Sequence, residues 1–335
     1  MPEFEKKLIR LINKYFEYLL AVAALAGGIL IRIMLMSAYA LPEKGGGNAL
    51  HIIGDIFLTV SVMVFIRKTA ADKTGSMALR VLLFILPSVS LASAMYGRLE
   101  NISFAFCILA LYQLEKKEHF KGMLLYAFAC LFSIYAWLLI PFIIMTAGRD
   151  KAFSKLFYLM PLIPSIVHAF LNDSYIPAGY INKHLYENCG SFFSFLNGNG
   201  EKSFGRYLPI CLVLTAFMLY LIIRYFDRLF MTTTVTERLG TALIITEVFA
   251  SFLPGADMGS TAFGSMLAWC VAFTDAGFLP AAVVFGYLRL LPMTGALYGQ
   301  ERMTFSYQGQ TWIRVALIIA LCVRSYLKRD KKHVL

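Results

Sequence analysis

Apolar runs near the length needed to cross a bilayer recur from one end of the chain to the other, separated by short polar links. They fall at 17–40, 49–66, 79–96, 102–114, 122–147, 156–170, 207–226, 241–254, 262–275, 280–297 and 311–327. A helix needs about 20 apolar residues to span the hydrocarbon. A transmembrane barrel would instead show alternating segments of about ten residues, and these runs do not alternate. The pattern predicts an all-α fold: a polytopic transmembrane helical bundle, one integral membrane domain over 1–335. The segment "GMLLYAFACLFSIYAWLLIPFIIMTAG" has basic clusters at both ends, which predicts a hairpin broken with the help of Pro141; a single steep crossing is the alternative. The count is then about ten crossings plus a hairpin or re-entrant segment, with both termini cytoplasmic.

Ahead of the first run, "PEFEKKLIRLINKYF" places Phe4, Leu8, Leu11, Ile12 and Tyr15 on one helical face and lysines on another. This predicts an amphipathic helix over 1–16 lying along the cytoplasmic surface. The first run is too long for the core of a cleavable signal peptide, so none is expected. The one long polar stretch, 171–206, is placed outside the cell, as are the links 41–48, 97–101, 255–261 and 298–310. No internal repeat is evident, which argues against an inverted-repeat transporter.

Composition agrees. The chain is 59% hydrophobic and only 15% charged, with mean hydropathy +0.67; soluble domains are about a quarter charged. The net charge of +11 comes from Lys and Arg clustered in the links, such as Lys116/Lys117/Lys121 and Arg149/Lys151/Lys155. That is the signature of cytoplasmic loops in a cell-membrane protein with lipid partners, not of a nucleic-acid binder. Of the six cysteines, all but Cys189 lie inside apolar runs, without metal-ligand or CxxC spacing, and read as small core residues.

Ionisable residues inside membrane helices are costly and mark function by default. Arg32 lies in the first run, His51 and Asp55 in the second, Glu247 in 241–254, Arg289 in 280–297, and Arg314 at the start of the last. At about 1.5 Å per residue, Arg32, Asp55, Glu247 and Arg289 all sit about 10 Å below the outer surface. Two readings follow: an outward cavity lined by these groups, or two buried ion pairs, Arg32–Asp55 and Glu247–Arg289, that hold helices in register. An arginine-bearing cavity suits a lipid-linked phosphate, with Arg289 or Arg314 as the phosphate contact. His51 and Asp55 share a helix face at i, i+4, but no third ligand stands nearby in sequence, so no metal or other cofactor is implied. There is no nucleotide-binding motif.

The run "LPSVSLASAMYGRLENISFAFCILALYQLEKKEHFKGMLLYAFACLFSIYAWLLIPFII" resembles bacterial multipass GT-C-fold glycosyltransferases, especially the mannosyltransferase-like group. Pro87 holds the place of a motif proline, and Tyr96, Gly97, Arg98 and Glu100 fall where Trp, Gly, Gln and Asp stand in that motif. The "GDIF" around Asp55 is similar to the family's second-helix aspartate, and "FLPGADMGSTAFG" at 252–264 resembles its FLPxMHERYFY segment. The resemblance implies a GT-C-like bundle that transfers sugar from a polyprenyl-phosphate donor on the extracytoplasmic face, with an acidic residue of the first outward loop as general base. Here that loop is short and offers only Glu43. The family's Lys and Gln in the fifth segment become Ser133 and Tyr135, and its His-Glu-Arg triplet becomes Asp257-Met258-Gly259. Each replacement removes a group that binds phosphate or moves a proton.

Three functions are therefore expected in competition. The first is a glycosyltransferase with Glu43 or Glu100 as base and Arg98, Arg32, Asp55, His51, Glu247, Asp257, Arg289 and Arg314 lining the substrate. The second is a non-catalytic relative that binds a lipid-linked glycan or a partner enzyme. The third is a flippase for such a lipid.

Overall fold

The computed structural model describes residues 3–39, 49–69, 83–94, 99–147, 154–171, most of 209–220, 234–252, 258–297 and 304–333. Among these, every regular element is helical. The principal helices are α1 (Glu3–Tyr39), α2 (Ala49–Thr69), α3 (Pro87–Ala94), α4 (Glu100–Glu115), α5 (His119–Phe132), α6 (Ile140–Ala147), α7 (Leu162–Leu171), α8 (Val235–Phe252), α9 (Met258–Thr274), α10 (Leu279–Leu297) and α11 (Thr304–His333).

The first helix corrects an expectation. The amphipathic stretch is not a separate surface helix but the opening turns of one 37-residue helix. From Glu3 no Gly or Pro interrupts the helix before Gly27, and the Glu, Lys, Leu and Arg that fill its start are strong helix formers. The face of Phe4, Leu8, Leu11, Ile12 and Tyr15 is exposed, as an interfacial face would be.

Among the described residues, two helices are long and apolar enough to cross a membrane, Tyr18–Ser37 and Ala49–Arg67. Several of the other expected spans are shorter or broken. The run at 79–96 is helical over Pro87–Ala94, after a helical turn at 83–85. Pro87 donates no N–H and disfavours helix in the residue before it; both Val89 and Ser90 amides turn back to the Leu86 carbonyl. The run at 156–170 divides into a 3₁₀ turn, Lys155–Leu159, and the ten-residue α7.

The segment 122–147 turns at Ser133, and its second limb passes from 3₁₀ to α-helix at Ile140, one residue before Pro141. Ser133 is extended (φ −155, ψ 134) between α5 and a 3₁₀ helix, Ile134–Leu139. Its hydroxyl accepts the Tyr135 amide at 3.3 Å. The chain folds back here: the Tyr126 hydroxyl donates to the Ala136 carbonyl at 2.8 Å, whereas ten residues of unbroken helix would separate their backbones by about 15 Å. Pro141 instead sits in the first turn of α6, where a missing N–H costs no helical bond.

Asn101 precedes an apolar run and Thr236 another, and both are residue types that cap helices. Yet Leu99 holds the cap position of α4 without a side-chain bond, and Asn101 is used elsewhere. Thr234 caps α8. Its hydroxyl accepts the Glu237 amide (3.3 Å) while Glu237 Oε2 accepts the Thr234 amide (3.1 Å), a reciprocal capping box. Between α4 and α5 the turn is tight, with Lys117 at φ 63.

The core runs through α2, α4, α5, α8, α9 and the 3₁₀ segment after Ser133, with Leu58, Phe65, Phe104, Tyr126, Leu139, Leu243, Phe263 and Leu267 fully or almost fully enclosed. Cys107, Cys130 and Cys270 are buried core residues, as expected. Outside this core the usual order is inverted. Leu30, Ile33, Met34, Ile53, Val60, Val213, Val283 and Ile319 are exposed, while Arg32, Asp55, Glu247 and Arg314 are enclosed. Water favours the opposite arrangement; apolar residues outside and charges inside fit an apolar solvent. The chain is a membrane-associated helical protein.

Candidate functional site

Arg32, near the end of α1, and Asp55, near the start of α2, form an ion pair with Nε–Oδ2 at 2.7 Å and no solvent exposure on either side chain. Two more helices complete it. Asn101, in the first turn of α4, donates Nδ2 to Asp55 Oδ1 at 2.6 Å. Ser93, at the end of α3, donates its hydroxyl to Asp55 Oδ2 at 2.5 Å. The remaining guanidinium nitrogens donate to the Gly28 carbonyl (3.1 Å) and the Phe84 carbonyl (2.6 Å), and the guanidinium lies 3.9 Å from the Phe84 ring centroid. Gly28 lets this happen, because a Cβ there would stand 2.7 Å from two Phe84 ring atoms.

Every strong donor and acceptor of the pair is therefore engaged. A buried pair offsets its desolvation only in such a fully bonded setting. This cluster is a closed four-helix clasp, which favours the register-holding reading at Arg32–Asp55 over cavity lining.

The second pair differs in character. Glu247 on α8 meets Arg314 on α11; the side chain of Arg289 lies outside the described residues. The Nε–Oε2 distance is 3.9 Å, with both side chains 1% exposed. That is within ion-pair range but too long for a hydrogen bond. Among the described residues, Glu247 Oε2 and Arg314 Nε and Nη1 have no hydrogen-bond partner, and neither do Thr246 Oγ1, Ser251 Oγ, Ser265 Oγ and Gln310 Nε2. Gly264 on α9 makes room for the carboxylate, since a Cβ there would overlap Glu247 Oε1.

The two clusters lie at one level of the bundle. Phe104, one turn after Asn101, meets Phe263, beside Gly264, with ring centroids 5.5 Å apart in an edge-on arrangement. Both clusters sit within about three turns of helix ends: those of α1, α3 and α8, and the starts of α2, α4, α9 and α11. At the other end of the helices the ion pairs are more open. Glu115–Arg238 closes at 2.7 Å with 22% and 10% exposure, and Arg324 reaches Asp275 at 3.4 Å with 38% and 20% exposure. Arg324 also donates to the Gly277 carbonyl.

Of the other residues singled out in the sequence, His51 is buried on α2 one turn before Asp55. Glu100 is buried in the first turn of α4 beside Asn101, where the helix dipole favours a negative charge. Glu43, Arg98 and Asp257 lie outside the described residues, as does the side chain of Arg289. No group of three or more metal-ligating side chains occurs among the described residues. Sequence reading missed Ser93, Ser251, Gln310 and the role of Asn101. Two of these had a usable signal: Ser251 stands four residues after Glu247 and Gln310 four before Arg314, so each shares a helix face with a buried charge.

Compared with protein-family models, curated proteins and solved structures, the chain matches none.

Proposed function

We propose that the protein is a multi-pass cell-membrane protein with both termini cytoplasmic. In this reading it is glycosyltransferase-like and handles a polyprenyl-phosphate-linked sugar on the extracytoplasmic face. The observation that carries the reading is the gathering of the fully enclosed charged side chains, Arg32, Asp55, Glu247 and Arg314, at one level near one set of helix ends. Groups that served only to pin helices would be free to occur at any depth. Glu100 stands at that level, next to a residue of the clasp, and is the base candidate on described structure; Glu43 is the other, from the motif resemblance. A base acts by taking the proton of an acceptor hydroxyl as the bond to the sugar forms.

A second reading, a non-catalytic binder of a lipid-linked glycan, is favoured by one specific feature. Arg32 is fully committed to Asp55, its neighbours and the Phe84 carbonyl, and Arg314 is charge-matched by Glu247. Neither is a free cation for a donor phosphate.

Purified protein in lipid vesicles, incubated with a panel of polyprenyl-phosphate sugars labelled in the sugar, separates these readings. Release of label from the lipid, lost in Glu100→Gln or Glu43→Gln, supports transfer. Saturable binding without release supports the binder; neither release nor binding refutes both. Reporter fusions at the two termini test the topology, and a reporter active outside the cell at either end would overturn it.

A further inference from the structure

The outer face of α5 and α7 is apolar along its length and basic at one end. The two helices pack together and start from the same end: Phe120 on α5 meets Phe157, in the 3₁₀ turn before α7, edge-on with ring centroids 6.2 Å apart. Phe120, Leu124, Phe128 and Leu131 are exposed at steps of four, four and three, which keeps them in one stripe along α5. Leu159, Ile163 and Ile166, also exposed, repeat those steps from the 3₁₀ turn into α7. The α5 stripe climbs about 16 Å, close to half of the roughly 30 Å of hydrocarbon. At its basic end Lys117, Lys121 and Lys155 are all exposed, while Lys116 lies over the Tyr112 ring, 4.3 Å from its centroid. Against these stands Glu118, 3.1 Å from Lys121; an exposed pair of this kind is weak and leaves Lys121 available.

We propose that this face holds an anionic phospholipid of the cytoplasmic leaflet, its phosphate at Lys117, Lys121 and Lys155 and its acyl chains along the two stripes. Charge selects the class: three lysines against one carboxylate favour a head group with net negative charge, whereas a choline head would bring one more cation. Length selects a lipid: stripes that end about halfway through the hydrocarbon match the chains of one leaflet, while a partner helix would run on across it. A second copy fits poorly, because two copies meeting here about an axis along the membrane normal would set these lysines against each other. The choice of leaflet rests on the topology proposed above; the site itself does not.

The test uses the full chain in phosphatidylcholine nanodiscs doped with one of two probes carrying a diazirine on an acyl chain, phosphatidylglycerol or phosphatidylcholine. Ultraviolet capture is mapped by mass spectrometry. The phosphatidylglycerol probe should label α5 and residues 155–167 about tenfold more than its neutral counterpart, since each lysine near an anionic head contributes about fivefold and Glu118 offsets part of the sum. Lys121→Gln/Lys155→Gln should bring that ratio close to one with the melting temperature unchanged, because both side chains are exposed. Lys6→Gln/Lys7→Gln, which alters charge on α1, should leave the ratio as it was. Equal capture of the two probes, a preference that survives loss of Lys121 and Lys155, one lowered as much by the α1 variant, or preferential capture confined to other helices overturns the proposal. Nanodiscs present both leaflets to the protein. Preferential capture here with a terminus found outside the cell would therefore remove the topology alone; equal capture with both termini inside would remove this inference alone.

Discussion

Replacing Asp55 by Ala should be among the most damaging single changes in the chain. Its carboxylate, with no solvent exposure, accepts from Arg32, Ser93 and Asn101 at 2.7, 2.5 and 2.6 Å. Truncation leaves Arg32 buried without its counter-charge, which typically costs about 3–5 kcal/mol. The double variant Arg32→Met/Asp55→Leu removes both charges and refills their volume. It no longer strands a cation, and Ser93 and Asn101 keep backbone acceptors, so it retains only the smaller penalty for the Phe84 carbonyl, of about 1–3 kcal/mol at most. Reversible unfolding in mixed micelles, followed by tryptophan fluorescence, should therefore find the double variant more stable than Asp55→Ala by about 2 kcal/mol or more. If the effects of the two positions add to within about 0.5 kcal/mol, the clasp is not an energetic unit and the reasoning fails.

Three further outcomes follow from the glycines and caps. Gly264→Ala should destabilise by about 1–3 kcal/mol through overpacking, because its Cβ overlaps Glu247 Oε1; Gly27→Ala, with nothing within 4 Å of its Cβ, should be neutral or slightly stabilising in the same unfolding assay. Gly54→Ala places a Cβ 2.4 Å from Ile102 Cγ1, and adding Ile102→Ala should recover part of the loss; a strictly additive double variant would contradict the contact. Thr234→Ala should cost about 1 kcal/mol by opening the α8 capping box, whereas Thr236→Ala should change stability by less than half as much.

Much of the helical order was legible because apolar runs and basic links carry it directly. The breaks were not. Pro141 is the residue that sequence rules flag, yet the chain turns at Ser133, because a proline in a first turn is harmless while an extended serine can accept an amide and let Tyr126 reach across. The Arg32–Asp55 pair was readable from depth alone, since both residues fall about two turns from the ends of consecutive runs. The Glu247–Arg314 pair was not: its members lie on helices far apart in the chain, and only the packing of α8 against α11 brings them together. Asn101 misled for a related reason. Asparagine before an apolar run reads as a cap, but a buried carboxylate on a neighbouring helix is the stronger claim on its amide.

The unbroken first helix has one more consequence. Its 37 residues extend about 55 Å, well beyond the roughly 30 Å of hydrocarbon, and no hinge separates its amphipathic start from Arg32. A rigid rod has one orientation along its whole length. Tilting or rotating the surface-seeking turns, by a change in lipid charge or thickness, must swing Arg32 as well, and Arg32 is held by Asp55 and Phe84 on two other segments. The start of α1 therefore works as a lever whose load is the clasp, and the lipid surface can be felt at Asp55 without any contact between them.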